Sequence, residues 1–226
     1  MIYDCIIIGG GIAGLQAAIQ LGRYQHDVLV VDSNQGRSNL CQCYHNILGW
    51  PEGIGGQQLR DIGKKQAEDL GIHFKENQVI TAKRSQEGFL LTDKDGMDYL
   101  CKTLLLSTGV KDRMPLYDAL KPCLGISVYI CPDCDGYEIR GKRTIVLGSG
   151  NPGAYMTLAL TYFTHDLVYV NHEVETIDEK VKEKLMRKNI PYYNEPVQKV
   201  LAEGTQFKGV VLKSGTQLDA NRAFNA

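Results

Sequence analysis

Short apolar runs alternate with amphipathic segments along the chain. Residues Tyr3–Ile8 form a mainly apolar run, and apolar residues recur at helical spacing between Ile12 and Leu21. The helical pattern stops near Gly22, and Val28–Val31 is a second apolar run. Buried strands alternating with helices are typical of a parallel sheet covered by helices. The start of the chain therefore predicts a β-α-β unit.

The same pattern returns in the second half. A strand is predicted over Arg143–Leu147, a helix carrying Met156 to Phe163 follows, and the next strand covers Leu167–Val170. Helices are also predicted at about 57–70 and 178–188, and short strands between Tyr192 and Leu218. Between residues 72 and 108 the pattern predicts five short strands: His73–Phe74, Val79–Lys83, Phe89–Thr92, Tyr99–Leu100 and Thr103–Ser107.

A glycine motif joins the first predicted strand to its helix. Gly9, Gly11 and Gly14 match G-x-G-x-x-G, and Asp32 ends the next strand eighteen residues after Gly14. The first glycine permits a tight turn, the second allows close approach of a pyrophosphate, and the third allows close helix–strand packing. Asp32 can accept hydrogen bonds from a ribose. This segment predicts a dinucleotide site.

A second G-x-G-x-x-G motif follows the strand at Arg143–Leu147. Its glycines are Gly148, Gly150 and Gly153, and Asn171 stands where the first unit has Asp32. The repeat predicts an α/β fold with two Rossmann-like dinucleotide-binding domains, parallel sheets and small β-meanders. Pro115 and Pro122 punctuate a connector, so we predict domains at residues 1–115 and 116–226.

Composition narrows the classes of partner. Hydrophobic residues make up 43% of the 226 and charged residues 23%, which is ordinary for a globular chain. The formal net charge of -1 predicts no nucleic acid and no anionic membrane as partner. No apolar stretch approaches the roughly 20 residues that span a bilayer. No secretion signal precedes the first strand, so we expect a cytoplasmic protein.

Seven cysteines add the candidate chemistry. Cys131 and Cys134 have C-x-x-C spacing, which lets one thiolate attack a disulfide and the second resolve the intermediate. Asp135 follows at once and is placed to act as an acid or base. Cys5 and Cys101 lie in apolar strand patterns and are expected to be buried and inert.

Other interpretations of these residues remain. C-x-x-C is also half of a zinc site, but the close pair Cys41 and Cys43 has the wrong spacing to complete one, so we predict no metal. Those two thiols fit either a second redox relay or loop positions without function. His45 fits either a proton carrier beside a cofactor or a loop histidine.

The motifs, taken in order, resemble the low-molecular-weight thioredoxin reductase family. The resemblance rests on Gly9–Gly14, on C-P-D-C-D-G from Cys131 and on Gly148–Gly153, with the redox pair just before the second glycine loop. Thr108 and Gly109 resemble the family's A-T-G segment, and Asn46–Pro51 resembles a segment lying against the flavin.

The resemblance implies a flavoenzyme. Electrons would pass through FAD to the Cys131–Cys134 disulfide and on to a thioredoxin-like protein or a small disulfide or dithiol, with Cys134 facing the flavin and Cys131 attacking the substrate. Members are usually homodimers. The candidate cofactor-binding residues are Gly9, Gly11, Ile12, Ala13, Gly14, Asp32, Ser33, Asn39, His45, Asn46, Val79, Thr108, Gly109, Gly148, Gly150 and Gly153.

Two departures from the family leave alternatives open. The family's A-G-D segment, which returns to FAD, does not occur, so either a further C-terminal portion exists, which we expect, or the FAD site is incomplete. Glu173 and Glu175 stand near where the family carries arginines for a 2′-phosphate, and Asn171 lacks the carboxylate that favours NAD. The nicotinamide donor, NADPH or NADH, is therefore undecided from sequence.

Three further functions are compatible with these patterns. One is a flavin-dependent dithiol oxidase that passes electrons to oxygen, which the weak nicotinamide site and the loop at Tyr44–Gly49 favour. Another is a reductase driven by ferredoxin. The third, outside the enzymes, is a redox-sensing nucleotide-binding module, which the intact dithiol disfavours.

Overall fold

The structure, a computed structural model, describes residues 1–112 and 117–226. It divides into two compact units. The first holds residues 1–41 and the described part of 55–113, and the second holds residues 42–54 and the described part of 114–226. The predicted boundary at 115/116, with Pro115, lies outside the described residues. Residues 42–54 pack with the second unit, although the predicted division placed them in the first.

The described part of the first unit has one six-stranded sheet and two α-helices. Its strands are β1 (Ile2–Ile8), β2 (Val28–Asp32), β3 (His73–Glu76), β4 (Val79–Ser85), β5 (Gly88–Asp93) and β6 (Asp98–Leu106). Their order is β3-β2-β1-β6-β5-β4, parallel from β3 to β6 and antiparallel from β6 to β4. The helices are α1 (Ile12–Arg23) and α2 (Gly56–Glu68). The predicted α/β architecture is confirmed here.

Strand β6 differs from its prediction. The sequence pattern gave two short strands at Tyr99–Leu100 and Thr103–Ser107, whereas one strand runs continuously from Asp98 to Leu106. Parallel pairing with β1 extends along it from Leu100 to Leu106, so no break occurs. Leu106 is 69% exposed, so this apolar run is only partly buried.

Alternate residues of β1 and β2 belong to two hydrophobic clusters on opposite faces of the first sheet. Ile7, Val28 and Val30 pack in one cluster with Ala18 of α1 and Ala67 of α2. The intervening residues belong to a second cluster on the opposite face, with Ile6, Leu29 and Val31 packed against Leu91 and Cys101. Successive strand residues point to opposite faces, so continuous apolar runs are required in a sheet covered on both sides.

The second unit contains two sheets and three α-helices. Its strands are β7 (Val128–Tyr129), β8 (Thr144–Gly148), β9 (Leu167–Asn171), β10 (Tyr192–Tyr193), β11 (Val197–Glu203), β12 (Gln206–Leu212), β13 (Gln217–Asp219) and β14 (Arg222–Asn225). Its helices are α3 (Pro132–Asp135), α4 (Gly150–Leu160) and α5 (Glu179–Arg187). A parallel sheet has the order β10-β9-β8-β14-β7, and β11-β12-β13 form an antiparallel meander.

The second sheet is also covered on both faces. Val146 and Tyr169 pack with Ala154 of α4 and Leu185 of α5. Ile145 and its neighbours on the other face pack with residues of the meander, including Phe207, Val210 and Leu212. Strand β14 was not predicted from sequence; it inserts between β7 and β8. Both halves therefore have the predicted Rossmann-like architecture.

No helix in the described ranges is both long and apolar enough to cross a membrane.

Candidate functional site

The first glycine loop is tightly packed at two positions and open at one. A Cβ on Gly14 would lie 1.9 Å from the carbonyl oxygen of Gly9, and a Cβ on Gly9 would lie 2.4 Å from that of Ser107. Gly9 also has a positive φ of 103°. A Cβ on Gly11 would meet nothing within 4 Å. The loop therefore leaves space beside Gly11, where a dinucleotide's pyrophosphate approaches the backbone.

A cavity of about 260 Å³ lies at the carboxyl ends of β1 and β2 in the first unit. Ligands in open α/β sheets bind at this end of the strands. Five of the sixteen candidate cofactor-binding residues line it: Gly9, Asp32, Ser33, Val79 and Thr108. The fold thus gathers residues that are up to a hundred positions apart around one space.

A hydrogen-bonded turn holds Val79 at this cavity. The side-chain nitrogen of Asn77 donates to the Asp93 carboxylate at 2.6 Å, and the Tyr99 hydroxyl donates to it at 2.8 Å. Burial alone would raise the pKa of Asp93, but hydrogen bonds from the Met97 backbone N–H and the Tyr99 hydroxyl lower it below its ordinary value. Asp93 is therefore ionised at neutral pH and ties β5 to the turn before β4.

Asp32 has a partner that the sequence did not indicate. The guanidinium of Arg60, from α2, donates to Asp32 Oδ2 at 2.6 Å and to Asn34 Oδ1 at 3.0 Å. Arg60 is buried, with 8% of its side chain exposed, and Asp32 is partly buried. The chain offers 25 basic residues, and no local pattern selects one from α2 as the partner of Asp32. The pair sets the orientation of the carboxylate predicted to bind ribose.

Removing this cation should destabilise the first unit. Arg60→Met keeps most of the side-chain length but leaves the Asp32 carboxylate without its partner, and we expect a loss of about 2 kcal/mol. The measurement is urea unfolding followed by amide exchange in α2. Lys65→Met, which removes an exposed helical pair with Asp69, is the matched control and should leave stability unchanged. Equal effects of the two variants would contradict a special role for Arg60.

Other candidate residues of the first unit lie outside the lining of this cavity. Ile12 and Ala13 form the exposed first turn of α1, and Gly109 is exposed with a positive φ of 63°. The side-chain nitrogen of Asn39 donates to the backbone oxygen and to Oδ1 of Asn34, at 2.8 and 2.9 Å. Asn39 thus stabilises the loop after β2. Their assignment to cofactor binding stays a prediction.

The loop residues His45 and Asn46 belong to the segment that packs with the second unit. The Nδ1 atom of His45 lies 4.0 Å from a carboxylate oxygen of Glu138, in the turn just after the C-x-x-C helix. Asn46 is exposed. The proton-carrier role of His45 stays a prediction, and its acidic neighbour lies four positions after Cys134.

The dithiol lies on a single helical turn. Cys131 precedes α3, whose first residue is Pro132, and the backbone N–H of Asp135 donates to the Cys131 carbonyl at 3.0 Å. Proline is favoured at a first helical position because its missing N–H would have no helical partner there. Both cysteines are partly exposed and are not joined in a disulfide. This turn presents two thiols at one place on the surface of the second unit.

Close packing explains why a glycine, Gly136, follows C-x-x-C-D. A Cβ there would lie 2.2 Å from the ring of Phe163, just after α4. The turn Gly136–Ile139 therefore packs its backbone directly on an aromatic ring. Asp135 is buried beside it. Close packing fixes the position of the dithiol helix against α4.

The cysteines outside the C-x-x-C pair fall into two groups. Cys5, Cys101 and Cys123 are buried, as expected for the first two, and burial raises the pKa of Cys101 and Cys123. Cys43 is partly exposed; burial, with the carboxylates of Glu138 and Asp135, raises its pKa. A thiol that stays protonated is a weak nucleophile. These observations disfavour a second redox relay at Cys43.

The second glycine loop is packed at both outer glycines. A Cβ on Gly148 would lie 2.7 Å from Gly153 Cα, and one on Gly153 would lie 2.6 Å from the hydroxyl of Tyr169. That hydroxyl, fully buried, donates to the Gly150 carbonyl at 2.7 Å. This hydrogen bond holds the loop at Gly150 against β9. Whether Gly148, Gly150 and Gly153 hold a dinucleotide stays a prediction at this point.

Among residues 1–112 and 117–226, no three His, Cys, Asp or Glu side chains come together as a metal site.

Comparison with known proteins places these features in a family. The family model described as pyridine nucleotide-disulphide oxidoreductase matches residues 3–226. Thioredoxin reductase of Coxiella burnetii is 27% identical over 93% of this chain and 68% of its own length. Thioredoxin reductase of Treponema pallidum is 31% identical over 77% of this chain and 57% of its own length. The chain thus spans only about two thirds or less of these relatives.

A solved structure supports the fold. Thioredoxin reductase from Streptococcus pyogenes superposes with a TM-score of 0.86 at 21% identity, covering 99% of this chain and 76% of that one. At this identity the likeness shows the fold alone. It agrees with the α/β fold described above.

Proposed function

Because this chain belongs to the pyridine nucleotide-disulphide oxidoreductase family, we propose that it is an FAD-dependent thiol–disulfide oxidoreductase whose Cys131–Cys134 pair exchanges electrons with a partner. The family is one of oxidoreductase enzymes, and the chain resembles its thioredoxin reductases. The observation that carries the proposal is the partly exposed dithiol at α3, next to a buried acid and ahead of the glycine loop of the second Rossmann-like unit.

The first unit suits FAD. Gly9 and Gly14 close the turn, the space beside Gly11 is open, and the cavity of about 260 Å³ is lined by Asp32 and Val79. We assign Gly9, Gly11 and Gly14 to the pyrophosphate, Asp32 to the ribose, and Ser33, Val79 and Thr108 to the remainder of the adenosine half. When bound, FAD would supply a carrier for two electrons.

In this proposal the dithiol exchanges with a partner disulfide in two steps. The Cys131 thiolate attacks one sulfur of a partner disulfide; the partner's S–S bond breaks, a mixed disulfide forms, and the released sulfur takes a proton. The Cys134 thiolate then attacks Cys131; the mixed disulfide breaks, a Cys131–Cys134 disulfide forms, and the second partner thiol leaves with a proton. We assign proton transfer at Cys134 to its neighbour Asp135.

Partner and assembly follow the same proposal. The relatives' names point to a thioredoxin-like protein as the disulfide partner. A small disulfide would meet the same exposed thiols. We also propose a homodimer, in keeping with the resemblance described above.

A second function has a specific observation in its favour. The enzyme would oxidise a small dithiol to a disulfide, with dioxygen taking the two electrons and two protons as hydrogen peroxide. Asn171 and Glu175 lie against Gly150 of the second glycine loop, where a nicotinamide dinucleotide would bind. These contacts favour a function in which the electrons come from a dithiol and not from a nicotinamide.

The test counts thiols on the protein. The purified protein is reduced with dithiothreitol, freed of reagent, and mixed with oxidised thioredoxin or with lipoamide. We expect the thiols of Cys131 and Cys134 to disappear together, as located by mass spectrometry, while the partner gains a dithiol. If both cysteines stay reduced with either probe, the proposed exchange is wrong.

A further inference from the structure

The two glycine loops of this chain allow an internal comparison. Gly11 and Gly150 are the middle glycines of the two motifs, the position that lets a pyrophosphate approach the backbone. At Gly11 an added Cβ would meet nothing within 4 Å. At Gly150 it would lie 3.2 Å from Glu175 Cβ and 3.2 Å from the Thr176 carbonyl oxygen. Gly150 has a positive φ of 55° and Gly11 a φ of -73°, so the two loops differ in backbone conformation, and chain atoms lie close to the middle glycine only at the second.

Asn171 connects the glycine loop to the chain segment that lies over it, residues 173–176, which we call the cover. It is buried at the end of β9, where the first unit has Asp32. Its Oδ1 accepts the Gly150 N–H at 2.8 Å. Its side-chain nitrogen donates to the Glu175 carbonyl at 2.7 Å and to Asn194 Oδ1 at 2.6 Å. Both amide hydrogens are thus used within the protein, and neither remains for a ribose hydroxyl.

The cover is held at both of its ends. The backbone N–H of His172 donates to the Gly148 carbonyl at 3.0 Å, and that of Asp178 donates to Asn151 Oδ1 at 2.9 Å. Between them Val174 adopts a positive φ of 60°. This conformation is unfavourable for a β-branched residue and persists only where surrounding contacts determine it. The segment is therefore a built part of the unit.

The charge of the cover also disfavours binding of a dinucleotide at this loop. Glu173 and Glu175 are exposed on the cover, and no arginine occurs between Arg143 and Arg187. A nicotinamide dinucleotide carries two backbone phosphates, and NADPH carries a further 2′-phosphate. Acidic side chains at the loop repel these groups, and the guanidinium that would pair with them is missing.

From these contacts we infer that the second glycine loop does not hold a nicotinamide dinucleotide, because Asn171 and the segment 173–176 close it. The prediction that Gly148, Gly150 and Gly153 bind such a cofactor is thereby replaced by a structural role for these glycines. The consequence for electron supply rests on the second function given under Proposed function: a small dithiol is oxidised to its disulfide while a Cys131–Cys134 disulfide is reduced to two thiols, and dioxygen finally takes the two electrons and two protons as hydrogen peroxide.

Binding is tested directly on the purified protein with its flavin bound. NADPH or NADH is added while nicotinamide fluorescence and amide exchange over residues 148–153 are followed. We expect no saturable binding up to about 1 mM, equivalent to a free energy weaker than about 4 kcal/mol, and unchanged exchange. A saturating signal with slower exchange in that loop would overturn the inference.

The role of Asn171 has its own measurement. Asn171→Ala removes the acceptor of the Gly150 N–H, so we expect exchange of that amide to accelerate by at least about tenfold. Asn221→Ala, at an exposed position, is the matched control and should leave it unchanged. Unchanged exchange in Asn171→Ala would show that Asn171 does not close the loop. The titration of the unaltered protein remains decisive if this variant does not fold.

An anaerobic spectrum separates this inference from the proposed function. We expect dithiothreitol to bleach the flavin absorbance and NADPH to leave it. Bleaching by NADPH together with binding at the loop would overturn the inference and retain the oxidoreductase. Absence of bleaching by either reagent would remove the proposed function while the binding result still decides the state of the loop.

Discussion

Cys134→Ser is expected to lower thiol–disulfide turnover by at least about a thousandfold while FAD remains bound. Serine keeps the size of the side chain and the single turn of α3, but it cannot attack a disulfide. Cys131 can still open the partner's disulfide, so the reaction should stop at the mixed disulfide. Mass spectrometry of the non-reduced protein should then show a covalent adduct of Cys131 with thioredoxin or lipoamide.

Two variants make this result specific. Cys131→Ser should be equally inactive without forming the adduct, because the attacking sulfur is absent. Cys41→Ser removes a partly exposed thiol outside the pair and should keep activity and flavin content. Retained turnover in Cys134→Ser, or an adduct on Cys134 in the unaltered protein, would contradict the assigned order of attack.

Gly14→Ala should destabilise the first unit by about 3 kcal/mol or more and abolish FAD binding. The added methyl would lie 1.9 Å from the Gly9 carbonyl and 2.7 Å from Ser107 Oγ. The closest atom is backbone at the end of β1, which cannot turn away, so α1 must separate from the sheet. Since two units need not unfold together, the readout is amide exchange in α1, combined with flavin content.

Gly11→Ala is the matched control in the same loop. Its φ of -73° suits alanine and its Cβ would meet nothing within 4 Å. We expect a stability loss of about 1 kcal/mol or less, but weaker FAD binding, because the methyl stands where the pyrophosphate approaches. Normal stability of Gly14→Ala would contradict the packing argument. Full flavin affinity of Gly11→Ala would contradict the placement of the pyrophosphate.

Local chemistry explains what could be predicted. The turn at Gly9 needs a positive φ, and the helix at Gly14 needs close contact with the strand, so residue type alone marks the loop. The candidate redox pair is likewise marked by the C-x-x-C spacing of Cys131 and Cys134. The repeated order of strand, glycine turn, helix and strand predicted both Rossmann-like units, since the alternation of apolar residues reflects burial on both faces of a parallel sheet.

Long-range contacts account for the features that sequence missed. The Arg60 partner of Asp32 comes from a different helix, and the continuity of β6 follows from pairing with β1. The segment 42–54 packs with the second unit, although it is contiguous with the loop of the first. Local pattern contains no information about which distant element will lie alongside, because such contacts arise only when the sheets assemble.

The second glycine loop shows this division most clearly. Its sequence alone determined a strand, a tight turn and a helix, and it predicted a dinucleotide site as at the first loop. Only the tertiary structure showed that the Asn171 side chain forms hydrogen bonds with Gly150 and Glu175, and that Glu175 lies over Gly150. A motif specifies backbone conformation through its residue types, whereas free space beside it depends on which other chain segments pack there.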